Sequence, residues 1–500
     1  MMRILSAKQI RELDANTIAH EPVASIDLME RACHAFVQWF AEHIEATKKI
    51  GIVCGTGNNG GDGLGIARML NDWNYSVKVW IVRGPVPEST DFQTNLSRLK
   101  DKRIEIFDII NESDKGLFHD RDVLIDAVFG SGLSRTPEGI YAQVINCINQ
   151  TDVTRIAVDI PSGLMADSCS AEPIVKAHYT VSFQMPKLAF LFPGSHPYVG
   201  KWTMVDIGLN KSYIKNTDTP HFYFTAKDAR RMIRKRSTFD HKGTFGHSLL
   251  IAGSSGKIGA AVLSARAALR SGTGLLTIHI PRCGYQIIQS SVPEAMASID
   301  LHEDHVTECK ALQNYSAVGI GPGLDQHPET VKAFRKILEE YKRPMVIDAD
   351  ALNMLAVHSE LLSLVPAGSI LTPHPKEFER IVGNWTDDFH KLEKLKTLAS
   401  QLKSVVVLKG AYSAVATADK KVYFNSSGNP GMATGGSGDV LTGILTGLLA
   451  QRYDSADAAR LGVYLHGLAG DLAVQGTGEY SLIASDLIHS LPAAFQRVLR

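Results

Sequence analysis

The sequence lacks the features that mark secreted and membrane-spanning proteins. Its six cysteines are scattered, with no CxxC pair and no metal-site spacing, so we expect free thiols in a reducing compartment rather than disulfides. No apolar run approaches the ~18 residues of a membrane span. The N-terminal segment has no apolar core followed by a cleavage site. These absences predict a cytoplasmic protein without a membrane partner.

An excess of charge of one sign is also missing. Lys plus Arg and Asp plus Glu both total 52, so the formal net charge is zero. Because such a chain has no overall field to hold nucleic acid, we expect no nucleic-acid partner, and any phosphate must be bound by a local site. No internal repeat of 20–50 residues is present, which excludes solenoids and propellers. A chain of 500 residues is longer than a single hydrophobic core usually supports, so we predict at least two domains.

Two α/β patterns follow one another along the chain. In the first half, apolar strand-like runs alternate with helical stretches, and they lie at Ile50–Gly55, Val77–Val82, Asp122–Gly130 and Arg155–Gly163. This alternation is typical of a mostly parallel sheet covered by helices. A polar stretch without periodicity ends in Pro220, and the pattern restarts at Gly246–Gly256. We therefore predict two three-layer αβα domains, residues 1–215 and 220–500, the first of them Rossmann-like.

A glycine-rich segment, Cys54–Leu70, follows the first of these strands. Gly60, Gly61 and Gly63 permit backbone geometry forbidden to other residues, so that bare N–H groups can face an anion, and we expect a helix to start near Gly63. No GK[ST] follows, so this is not a Walker loop. A purely structural turn is an equally good interpretation of the segment.

Two later strands end in Asp, Gly and Ser, at Asp126–Thr136 and Val158–Leu164. The carboxyl ends of parallel strands line the ligand crevice, so we expect Asn59, Asp126, Asp159 and Ser162 to converge there. Each aspartate alone is more often a cap or a turn former. Their oxygens together are also suited to a hard monovalent cation.

The segments NNGGDG, DAVFGSGL and VDIPSGL, with the opening KQIRELD, resemble the YjeF N-terminal family of NAD(P)H-hydrate epimerases over roughly residues 1 to 215. The resemblance implies that Asp159 is catalytic at the reacting ring with Tyr141 beside it, and that Asn59, Asp126 and Ser162 bind potassium. The segment ADSCS departs from the family pattern and leaves the geometry of that loop open. The implied nucleotide contacts are Asn58, Asn59, Gly60, Gly61, Asp62, Gly130, Ser131, Gly132, Leu133, Ser134, Arg135 and Thr136.

A second glycine-rich segment, Gly428–Ala450, leads into an apolar helix. Gly435, Gly436 and Gly438 can present successive N–H donors to a transferred phosphoryl group. Asp439 can accept a proton from a substrate hydroxyl, and we expect the helix dipole to keep its carboxylate ionised near neutral pH. The structural alternative is a capped buried helix that begins with an aspartate.

Four further segments support a nucleotide site in the second half. Lys409–Ser413 closes a strand and offers another loop for phosphates, and Ile320–Leu324 and Asp348–Leu355 end two more strands. Thr372–Gly383 places His374 at a strand-to-helix junction. We expect His374 to line a pocket, the alternative being a plain turn histidine.

These segments resemble the ribokinase superfamily. GSSGKIGAAVLSARAALRSGTGLLTI, TPHPKE and NPGMATGGSGDVLTG are similar to the ADP-dependent NAD(P)H-hydrate dehydratases over roughly residues 225 to 500. The resemblance implies a ribokinase-like domain, with Asp439 catalytic and the hydrated cofactor at Ala260, Gly323, His374 and Asp439. SGKIGA replaces a methionine-containing loop beside the substrate. The implied ADP contacts are Lys409, Gly410, Ala411, Tyr412, Ser413, Asn429, Pro430, Gly431, Met432, Ala433, Thr434, Gly435, Gly436, Ser437 and Gly438.

The two resemblances together imply a bifunctional enzyme of nicotinamide-nucleotide repair. The first half would interconvert the R and S forms of hydrated NAD(P)H, with potassium bound. The second half would dehydrate the S form at the expense of ADP, giving AMP and phosphate, with magnesium as a further candidate ion. We expect small-molecule substrates and a homo-oligomer.

An alternative makes the second half a thiazole or hydroxymethylpyrimidine kinase fused to a non-catalytic YjeF-like binding scaffold. TPHPKE beside IGPGL argues against the kinase. The joint presence of Asn59, Asp126 and Asp159 argues against the scaffold.

Overall fold

The computed structural model describes residues 1–100, 102–110 and 118–500. Their contacts form two compact units. The N-terminal unit is Arg3–Thr219 with Asp387–Phe389, and the C-terminal unit is Met1–Met2, Pro220–Thr386 and His390–Arg500. The predicted fold class, two α/β domains with mostly parallel sheets, is confirmed. Within the described ranges, every helix is too short or too polar to span a bilayer.

The N-terminal unit is built on a seven-stranded sheet. Numbered along the chain, after a short strand β1 (Met2–Arg3), its elements are α1 (Ala7–His20), α2 (Ser25–His43), β2 (Lys49–Cys54), α3 (Asn58–Asp72), β3 (Ser76–Val82), α4 (Thr90–Leu99), β4 (Glu105–Ile109), β5 (Val123–Ala127), α5 (Gly139–Gln150), β6 (Thr154–Val158), β7 (Tyr179–Phe183), α6 (His196–Val199), β8 (Lys201–Val205) and α7 (Lys211–Asn216).

The strand order of this sheet is β4-β3-β2-β5-β6-β7-β8, and all its pairs are parallel. Five of the six residues of β2 and all five of β5 are buried, as expected for central strands that are covered on both faces. The chain leaves β2 towards β3 on one side and later returns to β5 on the other. Such a switch point opens a crevice at the carboxyl ends of the two strands, where ligands bind in folds of this type.

The glycine-rich segment after β2 differs from our prediction. Helix α3 begins at Asn58, five residues before Gly63, and Gly60, Gly61 and Gly63 have no positive φ. A Cβ on Gly60 would overlap the carbonyl oxygen of Gly55, and one on Gly63 would lie 2.6 Å from the Cβ of Ala127. These glycines are therefore needed for close helix-to-strand packing, not for unusual backbone angles.

The polar stretch before Pro220 has no apolar periodicity, and it contains α7. The Asn210 side chain caps this short helix by accepting hydrogen bonds from the backbone N–H groups of Ser212 and Tyr213. Such a cap stabilises a first helical turn without an apolar periodicity. This is why the hydrophobic pattern carried no signal for α7.

The C-terminal unit contains the remaining elements, except for the first two residues of the helix Asp388–Gln401, which belong to the N-terminal unit. The remaining elements are β9 (His221–Phe224), α8 (Ala226–Met232), β10 (His247–Ile251), α9 (Ile258–Arg270), β11 (Leu275–Ile280), α10 (Tyr285–Ser291), β12 (Met296–Ile299), β13 (Ala317–Ile320), α11 (Pro328–Glu340), β14 (Met345–Ile347), α12 (Ala349–Val357), β15 (Ile370–Leu371), α13 (Pro375–Val382), α14 (Asp388–Gln401), β16 (Val405–Leu408), β17 (Ala414–Ala416), β18 (Val422–Asn425), α15 (Ser437–Ala450), α16 (Ser455–Thr477) and α17 (Ala484–Leu499).

The sheet order here is β1-β9-β18-β17-β16-β15-β14-β13-β10-β11-β12. The strands from β16 to β12 pair in parallel, whereas β17 is antiparallel to both of its neighbours. The parallel part carries β13, β14 and β16, after which the predicted site segments follow. Their carboxyl ends therefore meet along one edge of the sheet.

Helix α15 lies in the core of this unit, and twelve of its residues are buried. It packs against α9 through small residues, since a Cβ on Gly443 would overlap the carbonyl oxygen of Ser264, and one on Gly447 would lie 2.9 Å from that of Ala268. An apolar helix that is buried on all sides needs no amphipathic pattern. This packing fixes the N-terminal end of α15, which carries Asp439.

We expect residues 1–219 and 220–500, produced separately, each to fold, because each contains its own sheet and buried core. The second fragment lacks β1 and the ion pair between the N-terminal amine of Met1 and Asp228 (2.9 Å). Its Tm should therefore be slightly lower than that of the same unit in the full-length chain. Circular dichroism and thermal unfolding measure both. If neither fragment unfolds cooperatively, the division into two units is wrong.

Candidate active sites

The crevice of the N-terminal unit opens at the ends of β2, β5 and β6. Asp126 is the second-last residue of β5, and it pairs in register with Val53 of β2 and Ala157 of β6. Its carboxylate accepts hydrogen bonds from the backbone N–H (2.7 Å) and the hydroxyl (2.6 Å) of Ser162. Burial raises the pKa of Asp126 to about 6, although these hydrogen bonds act against the shift. The predicted pair of Asp126 and Ser162 is therefore in direct contact.

Asn59 lies close to this pair. A Cβ on Gly130 would be 3.3 Å from its Oδ1, and the neighbour of Gly130, Phe129, donates its N–H to the hydroxyl of Ser162 (2.8 Å). The amide nitrogen of Asn59 is buried without a hydrogen-bond partner among the described residues. Because buried polar atoms are normally satisfied, such an orphan indicates a group that binds here.

Asp159 follows β6 with a left-handed backbone, φ 64°. Its Oδ1 accepts hydrogen bonds from the N–H of Phe183 (3.0 Å) and from the ammonium of Lys187 (2.6 Å). Lys187 is only 1% exposed. Lys187 was not among the residues predicted from the sequence, and the one available signal was a lysine inside the apolar run MPKLAFLF.

Two further carboxylates interact with Asp159. Burial, together with the charge of Asp159, raises the pKa of Asp14 to about 6. Burial and the carboxylates of Asp159 and Asp14 raise the pKa of Asp62 well above its ordinary range. Asp62 was predicted to contact the nucleotide, whereas Asp14, in the KQIRELD segment, had no predicted role. Asp14, Asp62 and Asp159 therefore interact with one another, and Lys187 contacts Asp159.

Tyr141 lies in α5 and packs against Phe129, with ring centroids 4.7 Å apart. Its hydroxyl is buried and has no hydrogen-bond partner in the described part of the chain. The neighbouring loop begins with a turn from Gly130 to Leu133. Of the loop residues predicted to contact nucleotide, Gly132, Ser134 and Arg135 are exposed. A ligand can therefore reach this loop from solvent.

In the C-terminal unit, Asp439 lies in the first turn of α15 after Gly436, whose φ is 86°. The pKa of Asp439 is raised to about 7, first by burial and then by the carboxylate of Asp348, whereas the charge of Lys409 lowers it. Our expectation that the helix dipole keeps this carboxylate ionised near neutral pH is wrong, since a group with this pKa is only partly ionised there. The dipole effect is worth about 1 kcal/mol or less at an ordinary helix end, and here desolvation outweighs it.

Asp348 and Lys409 form a buried network next to the glycine run. Lys409 Nζ is 2.9 Å from Asp348 Oδ1, and the hydroxyl of Thr442 donates to Asp348 Oδ2 (2.7 Å). A Cβ on Gly438 would lie 3.3 Å from Lys409 Nζ. The lysine charge therefore lies beside the predicted phosphate cradle. The sequence indicated Asp348 only as a strand end, and its contacts with Lys409 and Thr442 were missed.

His374 is the N-cap of α13. Its Nδ1 accepts hydrogen bonds from the N–H groups of Lys376 (3.1 Å) and Glu377 (3.3 Å), and the Glu377 carboxylate accepts the N–H of His374 (2.8 Å). Burial and nearby cations, first Lys409, lower its pKa. The turn role that we gave as an alternative is thus present. Contact of His374 with substrate stays a prediction.

The other predicted residues lie on turns or in the first turns of helices, with Ala260 in α9 and Ser437 and Gly438 in α15. Gly323 has φ 59°, and its Cβ would lie 3.1 Å from that of Ala260, so these two are neighbours. The turn that follows β16 is closed by Ser413, whose hydroxyl donates to the carbonyl of Gly410 (3.0 Å). Asn429 donates to Asp471 (3.0 Å). Among the predicted ADP contacts, the exposed residues are Gly410, Ala411, Pro430, Ala433 and Gly435, the half-buried ones are Lys409, Tyr412, Ser413, Asn429, Gly431, Met432, Thr434, Gly436 and Gly438, and Ser437 is buried.

A separate surface cluster combines His302, His305 and Glu329, whose ligand-type atoms lie within 4.8 Å of one another. His302 Nδ1 accepts the N–H of Asp304 (3.1 Å), and His305 Nε2 is 3.0 Å from Glu329 Oε2. An Nδ1 that accepts a hydrogen bond leaves the proton of neutral imidazole on Nε2, which then has no lone pair for a metal. With this tautomer, His302 offers no ligand atom to a metal ion at the cluster.

Comparison with known proteins identifies the family. A model described as YjeF-related protein N-terminus matches residues 25–189, and one described as NAD(P)H-hydrate dehydratase matches residues 248–493. A bifunctional NAD(P)H-hydrate repair enzyme from Moorella thermoacetica is 36% identical over 512 residues, covering 98% of this chain and 96% of that protein. The chain belongs to the family of bifunctional NAD(P)H-hydrate repair enzymes. The resemblance noted for both halves is confirmed.

Other members and neighbours agree with this assignment. A repair enzyme of the same name from Thermofilum pendens is 32% identical and covers all of this chain and 97% of its own. A solved ribokinase-like superfamily protein from Enterococcus faecalis is 26% identical, with a TM-score of 0.51, covering 57% of this chain and 99% of that one. The ribokinase-like fold expected for the C-terminal part is confirmed.

We expect Gly436→Ala to lower the free energy of unfolding by about 1–3 kcal/mol, because the positive φ and a Cβ 2.6 Å from Leu263 Cδ1 both cost energy. Gly435→Ala is the matched control, since nothing lies within 4 Å of its Cβ. Denaturant unfolding measures both variants. Equal stabilities would show that the turn before α15 is not constrained as described.

Proposed function

We propose that this chain repairs hydrated nicotinamide nucleotides with two active sites. The N-terminal unit interconverts the R and S epimers of hydrated NADH and NADPH. The C-terminal unit dehydrates the S form at the expense of ADP and releases NAD(P)H, AMP and phosphate. The observation that carries the proposal is Asp439, a carboxylate with a pKa of about 7, beside Lys409 and a glycine run at a helix N-terminus. Family membership over 98% of the chain supports both halves.

In the proposed dehydration, Asp439 accepts the proton of the ring hydroxyl as the oxygen attacks the terminal phosphoryl group of ADP. AMP leaves, and loss of phosphate from the ring together with a ring proton restores the double bond. A base is most effective when its pKa is close to the working pH. Burial, which raises the pKa of Asp439 to about 7, therefore suits this role.

The charge of the transferred phosphoryl group is met by the amides of Gly435–Gly438 and by Lys409. Donors that are already in place at a helix N-terminus need no reorganisation during transfer. The ion pair with Asp348 (2.9 Å) holds the lysine ammonium beside Gly438. Most of the proposed ADP contacts, Lys409–Ser413 and Asn429–Gly438, are half-buried or exposed, so a nucleotide can reach them from solvent.

Magnesium is part of this proposal. Asp350, whose charge acts on Asp439, offers carboxylate oxygens that suit Mg²⁺, so that Asp439 stays free to act as the base. When bound, the ion would neutralise charge on the nucleotide phosphates. Ala260, Gly323 and His374 are the proposed contacts of the hydrated ring.

In the proposed epimerisation, Asp159 is the proton acceptor at the reacting ring, and the ring lies against Tyr141. The nucleotide is held by Asn58–Asp62 at the start of α3 and by Gly130–Thr136. The N-terminal end of α3 supplies N–H donors for the phosphates.

The residues Asn59, Asp126 and Ser162 fit a potassium ion. They offer amide, carboxylate and hydroxyl oxygens, the ligands that hard cations prefer. The Asn59 amide has an unsatisfied buried atom, and turning this amide would exchange its nitrogen for its oxygen. When bound, the ion would add positive charge beside the nucleotide. The proposal also includes a cytoplasmic location, a homo-oligomeric state, and neither nucleic acid nor membrane as partner.

We expect Asp439→Asn to abolish nearly all ADP-driven recovery of the reduced ring, because an amide cannot accept the proton, while ADP affinity stays unchanged. The wild-type rate should fall about tenfold per pH unit below pH 7, since protonation of a group with a pKa of about 7 removes the base. Absorbance of the reduced ring is the measurement.

Glu339→Gln, an exposed carboxyl-to-amide change on α11, is the control for this experiment and should leave turnover intact. Near-normal turnover of Asp439→Asn would exclude Asp439 as the base. Turnover of a free vitamin-precursor alcohol in place of hydrated cofactor would indicate a small-alcohol kinase.

Asp159→Asn keeps the shape of the side chain but removes the proton acceptor. Epimerisation should fall by roughly 10²–10⁴-fold, the range for general acid–base groups, while dehydration of the S form continues. The assay mixes both epimers with ADP. The S form is dehydrated in the first phase, and the R form is consumed in a slower second phase, which reports on epimerisation. Asp152→Asn, at an exposed position of the same unit, is the control. An unchanged second phase would remove Asp159 from the mechanism.

A further inference from the structure

The ammonium group of Lys187 is fully enclosed by the N-terminal unit. It contacts Asp159 Oδ1 (2.6 Å), the hydroxyl of Ser182 (3.2 Å) and the carbonyl of Phe183 (3.5 Å). A lysine ammonium has three protons, and these three acceptors account for them. With 1% exposure, Lys187 has neither a free proton nor an open path towards a ligand. Any effect that it has on a reaction must pass through Asp159.

The two oxygens of Asp159 differ in their surroundings. Oδ1 accepts hydrogen bonds from Lys187 and from the N–H of Phe183 (3.0 Å). Oδ2 accepts none from the residues that the structure describes, and 11% of the side chain is exposed. The left-handed backbone of Asp159 (φ 64°) is an uncommon conformation for an aspartate, and such conformations concentrate at functional sites. One oxygen is therefore anchored, and the other is left for a ligand.

We propose that Lys187 is a positioning residue of the epimerase site, whose ion pair with Oδ1 keeps the Asp159 carboxylate in one orientation so that Oδ2 can accept the substrate proton. This inference rests on the proposed epimerisation. Lys187 itself does not touch the substrate.

The surroundings of Asp159 show why such a cation is needed. Asp159 is buried, and it interacts with the carboxylates of Asp14 and Asp62. Burial and like charges both favour the protonated form of a carboxyl group, which cannot act as a base. The Lys187 ammonium, 2.6 Å from Oδ1, is the opposite charge in contact with Asp159, and it lowers the pKa of Asp14 and of Asp167. Without Lys187, Asp159 would be one of several mutually repelling buried acids.

The test compares Lys187→Met and Lys187→Arg with the wild type, as full-length chains, in the two-phase assay with both epimers and ADP. For Lys187→Met, the second phase should slow about 10- to 100-fold near pH 6.5 and recover towards pH 9. The reason is that loss of an adjacent cation raises a carboxyl pKa by about 1–3 units, so the ionised form returns only at higher pH. Lys187→Arg keeps the charge and should keep the wild-type pH profile, even if its rate is lower.

Three comparisons separate positioning from a merely structural role. The first phase, dehydration of the S form, reports on the intact C-terminal unit and should not change. Lys176→Met removes an exposed lysine of the same unit, 3.9 Å from Glu172, and should not alter either phase. In the Asp159→Asn background, Lys187→Met should cause no further loss, because its effect passes through Asp159.

An equal loss at every pH, or a further loss in the double variant, would overturn the proposal. Lys187→Gln keeps a hydrogen-bond donor without the charge, and its pH profile decides the matter if Lys187→Met does not fold. A wild type whose second phase is no faster than spontaneous epimerisation would contradict the proposed function itself. An active wild type with a pH-independent Lys187→Gln would contradict only the role of Lys187.

Discussion

The constraint on which both sites depend is that a buried carboxylate must be given partners. Parallel strands bring their carboxyl ends to one edge, and in both units that edge carries aspartates. Removing an ion from water costs several kcal/mol unless hydrogen bonds or an opposite charge compensate. Asp126 is compensated by Ser162, Asp159 by Lys187 and Asp348 by Lys409. The crevices are arranged around these pairs, and the groups left without a partner, such as the amide of Asn59, lie next to them.

The acids proposed to act in the two sites differ in how they are compensated, and this difference matches the work proposed for them. Asp439 has no hydrogen bond to its carboxylate among the described residues, and its pKa rises to about 7. Asp126 is buried but bonded to Ser162, and its pKa rises only to about 6. Asp159 has a lysine in contact. The same residue type is thus proposed for three roles. Asp439 is the base that takes up and releases a proton, Asp126 is a cation ligand, and Asp159 is a base anchored by a lysine.

Close packing brings the helix ends to these acids. Gly60 and Gly63 let α3 approach β2 and β5, and Gly443 lets α15 approach α9, where a methyl group would overlap a carbonyl oxygen or a neighbouring side chain. Each helix then directs its N-terminal end, with its free N–H donors, at the crevice. The sequence pattern predicted exposed N–H groups at these glycines, and it did not reveal the close packing that they allow.

The sequence by itself determined the fold class, the family and most of the strands that carry the site, because apolar runs, glycine clusters and co-ordered motifs are local. It did not reveal the start of α3 at Asn58 or the cap formed by His374, which depend on hydrogen bonds that several local conformations can make. It predicted the wrong ionisation for Asp439, and it did not reveal Lys187 or the contacts of Asp348. Lys187 is 28 residues from Asp159, and Lys409 is 61 residues from Asp348. Only the tertiary structure decides these, since burial and charge proximity are properties of the folded chain.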